Sequence, residues 1–240
     1  MGIIVPAIIP TSREDLTQKL GVFSGVCSEI QVDIVDGVYA TPASWPYRED
    51  PSALSGMLAE GELLPGAGIT HIEIDLMSRD PESTAGAWIG LGASRLTIHA
   101  ESTRYLPRFL ANARALYGHD KEFSSDLLSL GLAIGAATDL ALIEPYLESI
   151  NYVQFMGIRQ IGRQGEPFDM STVARVRAFR KRYPNTPVQV DGGVNLSNAG
   201  ALLDAGVSRL VVGSAIWKST DPVATYNALN ALTERHGLYE

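Results

Sequence analysis

The 240-residue sequence predicts a single (β/α)8 TIM barrel, a closed ring of eight parallel strands each followed by a helical connection. Three observations predict it. Short apolar runs alternate with longer amphipathic stretches from one end to the other, the signature of a parallel sheet. The length is close to that of one such barrel. No linker composition or block of charge divides the chain, so one domain over residues 1–240 is expected. An open doubly wound sheet is the alternative, and the lack of a GxGxxG after the first strand counts against it.

Taken in order, strands are expected at residues 3–9, 30–35, 69–74, 95–99, 131–134, 152–156, 188–190 and 209–212. Helices are expected over 12–22, 81–91, 105–117, 139–147, 170–183, 197–204 and 221–233. The less regular piece between the second and third strands is expected to hold only a short helix near 51–59. Cap signals stand at several helix starts: Thr11 or Ser12, Asp80 ahead of Pro81, Asp169, and Asn195 or Ser197. The opening segment MGIIVPAIIP is apolar but short, lacks basic residues and meets prolines. It reads as a strand rather than a signal peptide or a membrane span. A cytoplasmic location, away from membranes, follows by default.

The hydrophobic fraction of 45% and charged fraction of 19% describe an ordinary globular protein. The formal net charge of −8 argues against a nucleic-acid partner, which calls for a basic face. It leaves room for a small phosphate held by backbone N–H groups. The single cysteine, Cys27, excludes an intrachain disulfide and reads as a small buried hydrophobe.

Strand parity says more. Alternate side chains of a barrel strand face the helices and the lumen, and the helix-facing set should be apolar. That rule leaves Gln31, Asp33 and Val35 inward on strand two, and His71, Glu73 and Asp75 on strand three. It leaves Thr97 and His99 on strand four, Tyr152, Gln154 and Met156 on strand six, and Gln189 and Asp191 on strand seven. A purely structural barrel fills its lumen mainly with branched aliphatics. This one is polar and acidic, and buried carboxylates are costly unless paired, hydrogen-bonded, protonated or bound to metal. A satisfied structural network stands as the bland reading beside a chemical one. His71, His119 and Asp36, whose neighbour Gly37 suggests a turn, read as structural or surface residues.

Two segments near the C-terminus suit a phosphate. Strand seven runs into Asp191-Gly192-Gly193-Val194-Asn195 and strand eight into Gly213-Ser214-Ala215-Ile216. Glycines at strand ends let a backbone approach a ligand, and the loops after strands seven and eight are where such barrels often hold phosphate. The glycine-rich loop after strand six, residues 157–168, is long enough to close over a ligand, with Arg159 or Arg163 as sources of positive charge.

Along nearly its whole length the chain resembles ribulose-phosphate 3-epimerases. The matching stretches are Val5-Pro6-Ala7-Ile8-Ile9, Val32-Asp33-Ile34-Val35-Asp36-Gly37, Asp75-Leu76-Met77 with Pro81, and Thr97-Ile98-His99-Ala100-Glu101. Further matches are Met156 with Gly165 and Phe168, Val190-Asp191-Gly192-Gly193, and Val212-Gly213-Ser214-Ala215-Ile216. Tyr39 and Trp45-Pro46 fall where the family has aromatic and proline positions. The resemblance implies epimerisation of a small phosphorylated ketose, with Asp33 and Asp191 as the catalytic acids. It implies substrate or phosphate contacts at Gly192, Gly193, Gly213, Ser214, Gly165, Met156 and His99. It also implies a divalent metal held by the two aspartates and one histidine on each of strands two and three.

The chain departs from that pattern at both histidines, where Gln31 and Asp75 stand. Ala7 replaces the strand-one serine, Gly135-Ala136 replaces the Asn-Pro after strand five, and the strand-six loop lacks the Asn-Pro-Gly-Phe-Gly-Gly run. The metal set that remains is Asp33, Asp75, Asp191 and Gln31, with His99 as a nitrogen donor nearby. Among Mg, Mn, Zn and Fe, losing two imidazoles favours magnesium or manganese over zinc. A metal-free arrangement, in which Asp33 and Asp75 share a proton or Asp75 pairs with His99, is the alternative. Two other functions stay open: a phosphosugar-binding barrel without catalysis, and a lyase or decarboxylase on the same scaffold. The second would place a lysine among the carboxylates, and no inward strand position carries one. The sequence leaves a homo-oligomer open.

Overall fold

The computed structural model describes residues 2–50, 52–117 and 128–237. Eight strands close into one parallel barrel: β1 (Ile3–Ile8), β2 (Glu29–Val35), β3 (His71–Met77), β4 (Arg95–His99), β5 (Ser129–Ile134), β6 (Tyr152–Met156), β7 (Val188–Asp191) and β8 (Arg209–Val212), with β8 pairing back onto β1. The helices are α1 (Arg13–Val22), α2 (Ala53–Ala59), α3 (Glu82–Gly90), α4 (Leu106–Tyr117), α5 (Ser171–Arg182), α6 (Ala199–Asp204), α7 (Ser214–Trp217) and α8 (Pro222–Gly237). No helix among the described residues is long and apolar enough to cross a membrane. His119 lies outside the described residues.

Local chemistry accounts for the ends. Ser12 caps α1 by accepting the Asp15 N–H, and Asp169 accepts the Ser171 N–H at the start of α5. Asn195 Oδ1 accepts the Ser197 N–H before α6. Asp80 does not cap with its carboxylate; only its carbonyl oxygen takes the Ser83 N–H, and α3 starts without a side-chain cap. The helix expected over 139–147 is two short 3-10 turns instead, Leu140–Leu142 and Glu144–Ser149. Pro145 has no N–H to give an α-helical ladder there. The third strand starts later than residue 69, because Ile69 and Thr70 turn back to hydrogen-bond the carbonyl oxygen of Gly66.

The main apolar core lies between barrel and helices, with Val32, Ile34, Ile72, Ile74, Leu96, Ile98, Val153, Phe155, Val188 and Val190 all turned outward into it. The inward set is therefore the polar one. Gln31, Glu73, Asp75, Thr97, His99, Gln154 and Gln189 are fully buried, and Asp33 and Asp191 nearly so. His71, at the outer start of β3, is exposed.

The lower lumen is an ion cluster around Glu73. One carboxylate oxygen accepts Thr97 Oγ1 at 2.7 Å, Tyr152 OH at 3.2 Å and Gln189 Nε2 at 2.7 Å. The other takes Arg95 Nε at 3.2 Å and a nitrogen of Arg209 at 2.8 Å. Arg209 also pairs with Glu29 and donates to Gln189 Oε1 at 2.6 Å. Burial alone would raise the Glu73 pKa, but the two guanidiniums and these donors bring it down to about 2. Removing one partner of such a cluster strands buried charge. Arg209→Met should therefore cost about 3 kcal/mol, read as a lower urea midpoint at unchanged slope. A loss under about 1 kcal/mol would show that Arg95 alone satisfies Glu73.

Candidate functional site

Above the ion cluster sits a tier of glutamines. The Gln189 amide nitrogen lies within 3.0 Å of Gln31 Oε1 and 2.6 Å of Gln154 Oε1. With their oxygens so engaged, both glutamines turn their amide nitrogens up the barrel. Gln31 Nε2 donates to Asp33 Oδ1 at 2.8 Å, and Gln154 Nε2 donates to Asp75 Oδ2 at 2.8 Å. Gln31 thus offers the acids a hydrogen-bond donor, while its oxygen faces Gln189.

At the top, Asp33, Asp75 and Asp191 bring carboxylate oxygens within 4.8 Å of one another. Strand register explains the meeting: Asp33 and Asp75 are direct partners across β2 and β3, and Asp191 ends β7. Burial pushes the Asp33 pKa up to about 8, helped by the charge of Asp75. Burial likewise raises Asp191 well above the ordinary carboxylate value, with Asp33 and Asp75 adding to it. His99 Nε2 is 3.1 Å from Asp75 Oδ1, but neither atom has an aligned hydrogen bond, and His99 Nδ1 is also without a partner. Burial disfavours the charged imidazole, yet Asp75 outweighs it and the His99 pKa is raised. The Tyr39 ring lies 5.5 Å from that of His99.

The acid trio opens upward into a cavity of about 410 Å³, counting its mouth. Its lining includes Asp33, Met156, Gly165, Asp191, Gly192, Gly193, Gly213 and Ser214, so most of the residues expected to touch substrate share one space. Asp75, His99 and Gln31 are not in the lining; they are buried around it. Gly192 and Gly193 have φ of 98° and 70°, where a side chain would be strained, and a Cβ there would strike Ile158 and Phe168. Arg163 lines the cavity 3.9 Å from Glu166, whereas Arg159 is tied outside it to Asp169 at 3.0 Å. Asp36 is the turn residue expected, accepting the N–H groups of Val38, Tyr39 and Arg79.

Three residues near this site escaped the sequence reading. Arg95 and Arg209 continue the inward parity of their strands by two residues toward the floor, which the alternation itself implies. Gln164 lines the cavity from the loop after β6 with no pattern to single it out.

The donor set fits a divalent cation. Three buried carboxylates repel one another, Asp75 Oδ1 lacks a hydrogen-bond partner, and the nearby arginines are committed to Glu73. An all-oxygen trio suits magnesium or manganese rather than zinc.

The raised pKa has a measurable sign. In chelator-treated protein, folded Asp33 keeps its proton up to about pH 8, whereas the unfolded chain releases it near 3.8. Stability from this group is full below the unfolded value and is lost as pH rises toward 8. Asp33→Asn removes the ionisation, so the melting temperature of the variant minus that of the parent should widen between pH 4 and pH 8. A constant gap over that range would show that Asp33 ionises at its ordinary value.

The comparisons with known proteins agree with this geometry. The profile of the "Ribulose-phosphate 3 epimerase family" matches residues 61–217. The chloroplastic ribulose-5-phosphate-3-epimerase of Arabidopsis thaliana is 26% identical over 236 residues, covering 95% of this chain and 76% of that protein. Ribulose-phosphate 3-epimerase of Mycobacterium leprae is 25% identical over 233 residues, covering 95% of this chain and 93% of that one. Among solved structures, a 3-hexulose-6-phosphate synthase superposes with a TM-score of 0.66 at 19% identity, over 96% of this chain and 99% of that one. KGPDC from Streptococcus mutans, in its ribose-5-phosphate complex, superposes with a TM-score of 0.67 at 13% identity, over 98% of each chain. At those identities the two structures share the fold. The profile spans well over half of the sequence, and the chain belongs to the ribulose-phosphate 3-epimerase family.

Proposed function

We propose that the chain epimerises a small phosphorylated ketose at the carbon next to its carbonyl, with Asp33 and Asp191 as the acid–base pair. The observation that carries this reading is one cavity in which both carboxylates and both glycine turns meet. Epimerisation takes a proton from one face of a carbon alpha to a carbonyl and returns one to the other face. Two acids are needed, one ionised and one protonated, held on different walls. Asp33 on β2 and Asp191 on β7 supply them, and their mutual repulsion favours a state that holds a proton between them. The turns at Gly192-Gly193 and Gly213-Ser214 hold the phosphate through backbone N–H groups, which fixes the ketose carbons over the acids. The ribose-5-phosphate complex of a structural neighbour supports a phosphorylated sugar as the ligand class.

With a divalent cation bound, Asp33, Asp75 and Asp191 would be its ligands, and it would lower the carboxyl pKa values and stabilise the enediolate oxygens as a Lewis acid. Gln31 and Gln154 steady Asp33 and Asp75 from below. Cations in the described lumen are limited to Arg95, Arg209 and His99, all paired with acids and none of them an amine, which weighs against lyase chemistry through a lysine.

Incubation with a panel of ketopentose and ketohexose phosphates in heavy water should place deuterium at the carbon next to the carbonyl, seen by proton NMR. No exchange with any member, with or without magnesium or manganese, would refute the reading. Asp33→Asn and Asp191→Asn should each lower kcat by about 10³-fold, the usual worth of a positioned acid or base. Asp191→Asn that keeps full turnover would remove Asp191 from the pair. Chelation should abolish exchange at pH 7, and added magnesium or manganese should restore it; undiminished exchange after chelation would assign the chemistry to the acids alone.

A further inference from the structure

Gln164 sits on the loop after β6, and its half-buried side chain reaches the rim where β1 and β8 end. Its Nε2 donates to the carbonyl oxygen of Ala7 at 3.1 Å. That oxygen already accepts Trp217 Nε1–H at 2.7 Å, so it does not depend on the glutamine. The same Nε2 would lie 2.6 Å from a Cβ on Gly213, which places it against the second glycine turn. A carboxamide nitrogen has two N–H donors, and Ala7 uses one.

The rest of the loop is seated in the same pose. Ile161 packs on two apolar clusters at the barrel mouth, Val35 with Ala40 and Met77, and Ala133 with Met156 and Ile158. Gly162 presses against Ala40 and the backbone of Thr41, on the far side of the mouth from β6. The loop therefore crosses the mouth to the β2 side and returns to the β1–β8 seam, where Gln164 is its polar contact with the cavity. Arg163 and Glu166 also line the space, but they lie 3.9 Å apart as an ion pair of opposite charges.

We propose that Gln164 is a substrate-binding residue: the amide N–H that Ala7 does not use donates to an oxygen of the phosphate held at Gly213-Ser214. The proposal rests on the phosphosugar reading above. It makes the seated loop and the bound anion mutually dependent, since one side chain touches the strand end, the glycine turn and the ligand.

Inorganic phosphate binding to the full chain, measured by titration calorimetry, tests it with Gln164→Ala and Gln164→Glu. The alanine variant should bind about tenfold more weakly, the worth of one hydrogen bond to a charged group. The glutamate variant should lose about another tenfold, because it sets a carboxylate against the anion. With a phosphorylated ketose, KM should rise in the same order while kcat moves less, and without phosphate the two variants should melt together. Equal losses in both variants, or none, would make Gln164 a loop latch only and overturn the proposal while leaving the phosphate reading in place. A parent chain that binds no phosphate would overturn the glycine-turn reading and this proposal with it.

Discussion

Three carboxylates held within 4.8 Å of one another, away from solvent, are the constraint to which the rest of the barrel answers. Left to themselves they would repel, and their raised pKa values measure that repulsion. The lumen below them is built to bear it. Arg209 and Glu73 fix the Gln189 amide, Gln189 fixes Gln31 and Gln154, and those two present N–H groups to Asp33 and Asp75. A dipole orientation set at the floor is thereby carried to the acids through one middle layer. The bland and the chemical readings of the polar lumen are both right, at different heights: structural below, reactive above on the proposed reading.

Much of this was legible because a barrel strand has a period of two. Once Val32, Ile34, Ile72 and Ile74 are assigned to the helix side, Asp33, Glu73 and Asp75 have nowhere to go but inward. The start of β3 was less legible, since Ile69 looks like strand but is spent in a turn onto Gly66. The helix expected over 139–147 failed for a similar reason, as apolar spacing was weighed and the missing donor of Pro145 was not. Gln164 was invisible because its importance comes from a loop folding back across the mouth, and loop paths leave no periodic trace in a sequence.

The departures from the family pattern are also coherent as a set. Gln31 and Asp75 stand where the family's histidines are expected, and together they convert a mixed nitrogen–oxygen donor set into carboxylates braced by amides. Ala7 stands where a serine is expected, and the Gln164 carboxamide occupies the space beside its carbonyl. Polar groups at this end of the barrel have changed identity and origin, while the two acids at the ends of β2 and β7 and the glycine turns keep their places.

The sealed floor has a consequence of its own. Arg95, Arg209, Glu73 and Tyr152 plug the lumen from beneath, with the Arg95 guanidinium 4.1 Å above the Tyr152 ring. Ligand, ion and solvent hydrogen must then all come and go through a single doorway, the one that residues 157–168 span. On the proposed reading, a hydrogen lifted from the sugar is held behind that doorway until it reopens, so isotopic mixing with bulk solvent is paced by a loop movement rather than by the acidity of the groups that carry it.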